Sequence, residues 1–470
     1  MDDVSYLSAA ELSTAYAAGE LSPVEATRGV LDRLHEVNDK INAFTAVLDD
    51  YALDHARQSE ERWRAGSPLS PIDGVPTSIK DNVPMAGLPC RRGSLTTDPG
   101  PASENGPAVD RLLEAGAVLF GRTTLPDNAC KGVTDSPLTG ITRNPWNLQT
   151  TPGGSSGGAS AALAAGIGPL ALGSDGAGSI RIPASFAGVA GIKQTYGRVA
   201  TLPGSPFEGM SHQGPMARTV ADVGLMLQAI AHPDPRDGTS WPGPPIFDPD
   251  ADITNLNGVR IAFTADFDLP FPMQQGVRQR VVAASDVFRS LGATVVDACP
   301  DLSGVMPALA TLWHGGLAKV YAAVPESARD RFDPALVAMA QRGAGITAAD
   351  YVAASGYKAE LGRAMGEFHR EHDLLVGPTM PLVAFEAGRL TPPGTPEDDW
   401  MTWSPYVAAF NMTQQPAASV PCGLSDGLPV GLQIIGRRND DALVLRAAAA
   451  YEQAAGGFRA LSDHGRRLAL

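Results

Sequence analysis

Short apolar runs of strand character alternate along this chain with stretches of helical periodicity, and a chain so patterned has few ways to bury its apolar faces. The runs lie around Val75–Ile79, Ala117–Phe120, Pro169–Leu172, Val189–Ile192, Val259–Phe263, Thr294–Val296, Leu374–Val376, Ala418–Val420 and Val430–Ile435. Between many of them sit helical patterns such as Thr219–Ile230 and Asp440–Gln453. This mixing predicts an α/β architecture: a largely buried sheet covered by helices on both faces. The chain opens with helices. Ser8 with Glu11, and Ser22 with Pro23 and Glu25, read as two capping boxes, the second leading a helix whose stripe is Val30, Leu34, Val37 and Ile41. Residues 232–257, rich in Pro, Asp and Gly, read as a long surface excursion rather than a domain boundary, because strand signals resume beyond them. A single domain over 1–470 is expected.

Charge and cysteine usage narrow the functional classes. The 36 basic and 51 acidic residues give a net charge of −15, with no local basic cluster, which argues against nucleic acid or an anionic membrane as partner. The N-terminal MDDVSYLSAAEL lacks the basic start and apolar core of a secretory signal, and no run is long enough to span a bilayer, so a soluble cytoplasmic protein is expected. Cys90, Cys130, Cys299 and Cys422 show no CxxC and no regular spacing. Neither a disulfide framework nor a metal site is indicated, and no cofactor is expected.

The most unusual stretch is TPGGSSGGASAALAAG, residues 151–166. A phosphate-binding loop of this kind needs a lysine after the glycines, and none follows before Lys193. The segment Gly154-Ser155-Ser156-Gly157-Gly158 formally satisfies the GxSxG pattern of a nucleophile elbow with Ser156 as attacker, but an elbow leaves a buried strand, and Thr151-Pro152-Gly153 reads as a turn. The elbow also requires a histidine, and the eight histidines sit in polar settings. His369 and His372, within HREH, read as the solvated end of a helix.

A third reading comes from the neighbouring segments. LALGSDGAGSIRIPASFAGVAGIKQTYGRV (170–199), with GVPTSIKDNV (74–83), resembles the amidase signature family, and the similarity continues at NPWN (144–147), GPMARTVADVGLML (214–227) and PAASVPCGLSDGLPVGLQIIG (416–436). The resemblance implies the amidase-signature fold, with a large mixed β-sheet core, and a catalytic set of Lys80, Ser155 and Ser179, spaced by 75 and 24 residues. It implies Ser179 as nucleophile, Ser155 as an intermediary on a cis backbone, and Lys80 as the base. It further implies an oxyanion hole from Gly176, Ala177 and Gly178, extending to the Ser179 N–H, with Ser156 supporting the relay and Asp175 with Arg181 bracing the loop. Ala177 departs from the family's usual glycine, which is harmless at negative φ and harmful at positive φ. Gln194 replaces the usual proline after Lys193, a change expected to be structural only.

The chemistry is coherent on its own terms. Amide hydrolysis needs a deprotonated nucleophile, a donor for the leaving nitrogen, and dipoles for the tetrahedral oxyanion. An exposed lysine with a pKa of about 10.4 is a poor base, so Lys80 must be desolvated, by neighbours such as Val75, Ile79 and Val83, to act as one. Taken singly, Lys80 reads as a solvated strand end, Ser179 as a helix cap, and Asp175–Arg181 as a routine ion pair. Their joint occurrence at the family spacing is what assigns them.

The expected function is hydrolysis of the C–N bond of neutral aryl or alkyl amides, carbamates included and esters conceivable, through an acyl-enzyme. Segments 85–90, 125–136, 204–212 and 400–413 are expected to shape the pocket, and they hold no cluster of basic residues. Cys90, Cys130, Trp313, Tyr406 and Phe410 are pocket candidates for which packing is an equal alternative. The expected partner is a small-molecule amide or carbamate, and the resemblance leaves room for a homodimer. The alternative function is the glutamine-hydrolysing subunit of a tRNA-dependent amidotransferase.

Overall fold

A computed structural model describes residues 4–207, 209–269, 271–395 and 399–456. Eleven strands form one sheet: β1 (Phe44–Val47), β2 (Pro76–Lys80), β3 (Val118–Thr123), β6 (Leu170–Asp175), β7 (Ala190–Lys193), β8 (His212–Ala217), β9 (Arg260–Phe263), β10 (Thr294–Asp297), β11 (Leu374–Pro378), β12 (Ala417–Ser425) and β13 (Leu428–Gly436). A separate two-stranded ribbon joins β4 (Asp135–Ser136) to β5 (Gly140–Ile141). The order across the large sheet is β1-β3-β2-β6-β8-β7-β12-β13-β11-β9-β10. It is mixed: β2 runs parallel to both β3 and β6, and β9 to both β10 and β11, while β6–β8, β7–β12 and β12–β13 are antiparallel.

Side-chain alternation shows why the sheet needs cover on both faces. In β3, Val118 and Phe120 join one buried cluster and Leu119 another; in β6, Leu170 and Leu172 face one way and Ala171 the other. With both faces apolar, each strand reads as a continuous run rather than an alternation. All nine expected strands form. Both capping boxes form as well, and Val30, Leu34, Val37 and Ile41 are all buried.

Two sheet strands escaped the sequence reading. β1 is short, and β8 reads HQGPMA, with a glycine and a proline in it. Pro215 opposes Leu172 of β6, but β7 pairs only with Met216 and Ala217, so the proline sits where that ladder has ended. Residues 232–257 contain no helix or strand and lie on the surface, anchored where the Trp241 indole N–H donates to the Tyr196 carbonyl at 2.9 Å. One expectation is corrected. His369, in the last turn of the helix Ala348–Glu371, is 3% exposed rather than solvated, and its Nδ1 lies 2.9 Å from the His372 carbonyl, which accepts. No described helix is long and apolar enough to cross a membrane.

Candidate active site

Lys80 ends β2, a strand buried at every position, and is itself 0% exposed. Two parallel neighbours, β3 and β6, flank it and keep water away. Its Nζ lies 2.7 Å from Ser155 Oγ, 2.8 Å from Ser156 Oγ and 2.9 Å from Ser174 Oγ. None of these partners is an anion. Burial pushes the amine well below the usual lysine range, and the attraction of Asp175 opposes that only in part. A neutral amine has two N–H donors and one lone pair, so three hydroxyls satisfy it when one of them donates to the nitrogen.

Ser155 follows a cis peptide bond from Gly154 and stands just ahead of the helix Gly157–Ala164. The glycines around it serve close packing: a Cβ on Gly158 would lie 2.4 Å from Thr124 Oγ1 and 2.5 Å from its backbone nitrogen. The loop therefore presses directly on the segment just past β3. Ser156 accepts from the Ser174 N–H at 3.2 Å and donates to the Ser174 carbonyl at 3.1 Å, which ties the loop to β6.

Ser179 lies in the turn between β6 and the helix Arg181–Ala187, and it opens onto the same cleft as Ser155. The turn is built around Asp175. One carboxylate oxygen accepts the Gly178 N–H at 2.7 Å, and the other accepts the Ile180 N–H at 3.2 Å. Arg181 adds a two-pronged ion pair at 2.9 and 3.0 Å, and Asn411 Nδ2 donates at 2.9 Å. The guanidinium in turn donates to Gln433 Oε1 at 2.7 Å and to the Val407 carbonyl at 2.9 Å. Asp175 and Arg181 are both 0% exposed. Burial pushes the Asp175 carboxyl up, but the Arg181 charge, the hydrogen bonds from Arg181 and Asn411 and the Lys193 charge together outweigh it and hold the group well below its ordinary range. Removing one partner of such a pair strands a buried charge, so Arg181→Ala is expected to cost about 3–5 kcal/mol, read as a lowered denaturant midpoint.

This clamp revises the oxyanion expectation. The Gly178 hydrogen is spent on Asp175, whereas the N–H groups of Gly176, Ala177 and Ser179 have no backbone partner among the described residues. Gly178 contributes conformation instead, with φ +115° and room for no Cβ, which would meet Val407 Cγ2 at 2.4 Å. Ala177 takes an ordinary negative φ, so its methyl group strains nothing.

The cleft is open to solvent, with Ser155, Ser174, Gly176 and Ser179 among its lining. From segment 204–212, residues 204–207, 211 and 212 line it, and Asn128 and Ala129 represent 125–136. No residue of 85–90 or 400–413 does. Trp313 is a wall residue, stacked on Phe207 with ring centres 3.7 Å apart and its indole N–H donating to the Cys130 carbonyl at 3.0 Å. Cys130 itself is buried, and Cys90 lies off the cleft. Tyr406 and Phe410 are core, packed against Phe267.

Sequence reasoning missed Ser174, Asn82, Asn411, Gln433, Arg92 and His212. Ser174 was within reach, since it directly precedes Asp175 on the same strand. Asn411 and Gln433 arrive from more than 200 residues away and left no local signal. His212 is buried against the Met210 carbonyl, and burial pushes its imidazole well below the usual range, so it stays neutral. Among the described residues no cluster of His, Cys, Asp and Glu could hold a metal ion.

Comparison with known proteins adds an independent line. The Amidase family profile matches residues 25–445. An acylamidase from Rhodococcus erythropolis is 36% identical over 458 residues, 95% of each chain. One subunit of the glutamyl-tRNA(Gln) amidotransferase of Chloroflexus aggregans is also 36% identical, over 480 residues, 96% of this chain and 97% of the relative. Among solved structures, a bacterial aryl acylamidase of the amidase signature (AS) enzymes superposes with a TM-score of 0.88 at 28% identity, covering 98% of both chains.

Proposed function

The chain belongs to the Amidase family and is an amidohydrolase; from that premise we propose that it cleaves aryl or alkyl amides, with carbamates and esters as related substrates, through an acyl-enzyme on Ser179. The observation that carries this reading is the Lys80 amine, wholly buried and bonded to serine hydroxyls rather than to any described carboxylate. A buried lysine kept neutral is a base, and among the described residues its bonded partners are all alcohols.

Ser179 Oγ attacks the carbonyl carbon as its proton passes to Ser155 Oγ, and the Ser155 proton passes to Lys80 Nζ. The carbonyl oxygen takes the displaced electron pair and is met by the N–H groups of Gly176, Ala177 and Ser179. Collapse of the intermediate breaks the C–N bond, and the proton returns through Ser155 to the leaving nitrogen. Water then repeats the sequence against the acyl-enzyme. Ser156 and Ser174 hold the amine in place, and the Asp175–Arg181 clamp holds the turn. The acylamidase names of two relatives favour N-acyl and aryl amides as the substrates.

Incubation with an aryl amide, followed by intact-mass detection and peptide mapping, is expected to place the acyl adduct on Ser179. An adduct on Ser156 would restore the elbow reading. Ser156→Ala is expected to lower kcat by about 10- to 100-fold, well short of the loss at the nucleophile, because Lys80 keeps two of its three hydroxyl partners.

A second reading rests on the amidotransferase relatives, as similar as the acylamidase. Release of amine from model anilides by the purified single chain supports the stand-alone hydrolase. Glutamine cleavage only in a complex would support the amidotransferase role.

A further inference from the structure

The cleft carries a charge that the proton relay does not use. Arg92 lines it beside Asn82 and Asn128, and among the described lining residues no Asp, Glu or Lys appears. His212 shares the cleft but is held neutral by burial. Arg92 is thus the one charged residue among the described lining of the cleft, and its side chain also reaches the Cys90 thiol beside it. The nearby carboxylates are already committed: Asp81 to Arg122 at 3.0 Å, and Asp127 to the Asp333 N–H at 2.9 Å. The side-chain partner of Arg92 is the Cys90 thiol, an uncharged group, and no described ion pair includes Arg92.

Its placement is rigid. The Arg92 N–H donates to the Asp81 carbonyl at 2.9 Å, one residue beyond Lys80, and its carbonyl accepts the Asn128 N–H at 2.8 Å. The residue is held at φ +51°, a conformation that L side chains seldom adopt unless the surroundings impose it. Gly93 comes next at φ +64°, where a Cβ would lie 2.3 Å from the Leu125 carbonyl oxygen. The backbone is therefore wedged between the end of β2 and the 125–128 loop.

A guanidinium in a concave site loses solvation and recovers it best from a carboxylate, which its fork meets with two hydrogen bonds. The chain's net charge of −15 would otherwise repel an anionic substrate, so a local cation is needed to admit one. Resting on the hydrolase reading above, we propose that Arg92 is a specificity-determining residue, and that the preferred substrates are amides bearing one carboxylate on the acyl or amine portion. The neutral-amide expectation came from four segments, of which the first, 85–90, stops two residues short of this cation.

Two probe pairs test it: 4-acetamidobenzoate against its methyl ester, with the carboxylate on the amine side, and N-phenylsuccinamate against its methyl ester, with the carboxylate on the acyl side. Release of the aromatic amine is the readout. In at least one pair the carboxylate is expected to have the higher kcat/KM, by about tenfold or more. Arg92→Gln should bring that ratio to about one, and Arg92→Lys should retain part of it. A ratio of one or below in both pairs for the unaltered chain, or an Arg92→Gln variant that lowers both members of a pair equally, overturns the proposal. Binding of the same probes to Ser179→Ala, with and without Arg92→Gln, separates this inference from the catalytic one. A carboxylate preference in binding that Arg92→Gln removes supports the role of Arg92 even if no probe is turned over, whereas binding indifferent to the carboxylate overturns it even if the anilides are cleaved.

Discussion

Replacing Ser179 with alanine is expected to lower kcat toward aryl amides by at least about 1,000-fold and to abolish the acyl adduct seen by mass spectrometry. The fold should survive. Ser179 lies in a turn held by backbone and Asp175 contacts, and the Ser156 N–H bonds to its carbonyl at 3.1 Å, so the hydroxyl is not what holds the turn. What the variant loses is the bond-forming atom, and no neighbouring hydroxyl takes its place: Ser155, Ser156 and Ser174 are all engaged by Lys80. A Ser179→Ala protein that still formed an acyl adduct would end the assignment.

The second large effect is expected at Lys80. Lys80→Ala should match the loss at Ser179, because groups that act as one relay do not fail independently. Lys80→Arg should be equally severe, since a guanidinium keeps its proton at every pH a protein survives. In the unaltered chain the rate should rise with pH through the pKa of Lys80, which burial has moved below the ordinary value of about 10.4, and level off above it. Stability follows the same sign. Between the lowered folded pKa and about 10.4, the unfolded chain binds a proton that the folded chain does not, so stability rises with pH across that window. Denaturant midpoints of the unaltered chain and Lys80→Met, measured at two pH values within the window, should show the unaltered chain gaining ground as pH rises. A difference that does not change with pH would mean that Lys80 stays charged, and the base would be lost.

Much of the architecture was legible because its signals are local. A capping box is read over four residues, which is why Ser8 with Glu11 and Ser22 with Glu25 were visible as helix starts. Strands buried on both faces show as apolar runs, which exposed nine of the eleven in the large sheet. β8 was hidden because its core position comes from its partners, β6 and β7, rather than from its own composition. The pocket was half legible. Segment 204–212 was found, but 85–90 and 400–413 were not distinguishable from it by residue type, and only packing sends Tyr406 and Phe410 into the core.

Residue order alone settles that Lys80, Ser155, Ser156, Asp175, Ser179 and Arg181 exist at their spacing, and that the chain makes an α/β sheet able to hold them. The state of the lysine is another matter, because proton affinity depends on how much water reaches the amine. That is set by β3, β6 and the serine loop closing around it from elsewhere in the chain. Competition among donors, too, is decided only in three dimensions: Asp175 takes the Gly178 hydrogen and leaves those of its neighbours free. So is the placement of Arg92, one arginine among many in the sequence, in the lining of the cleft that holds Ser155 and Ser179.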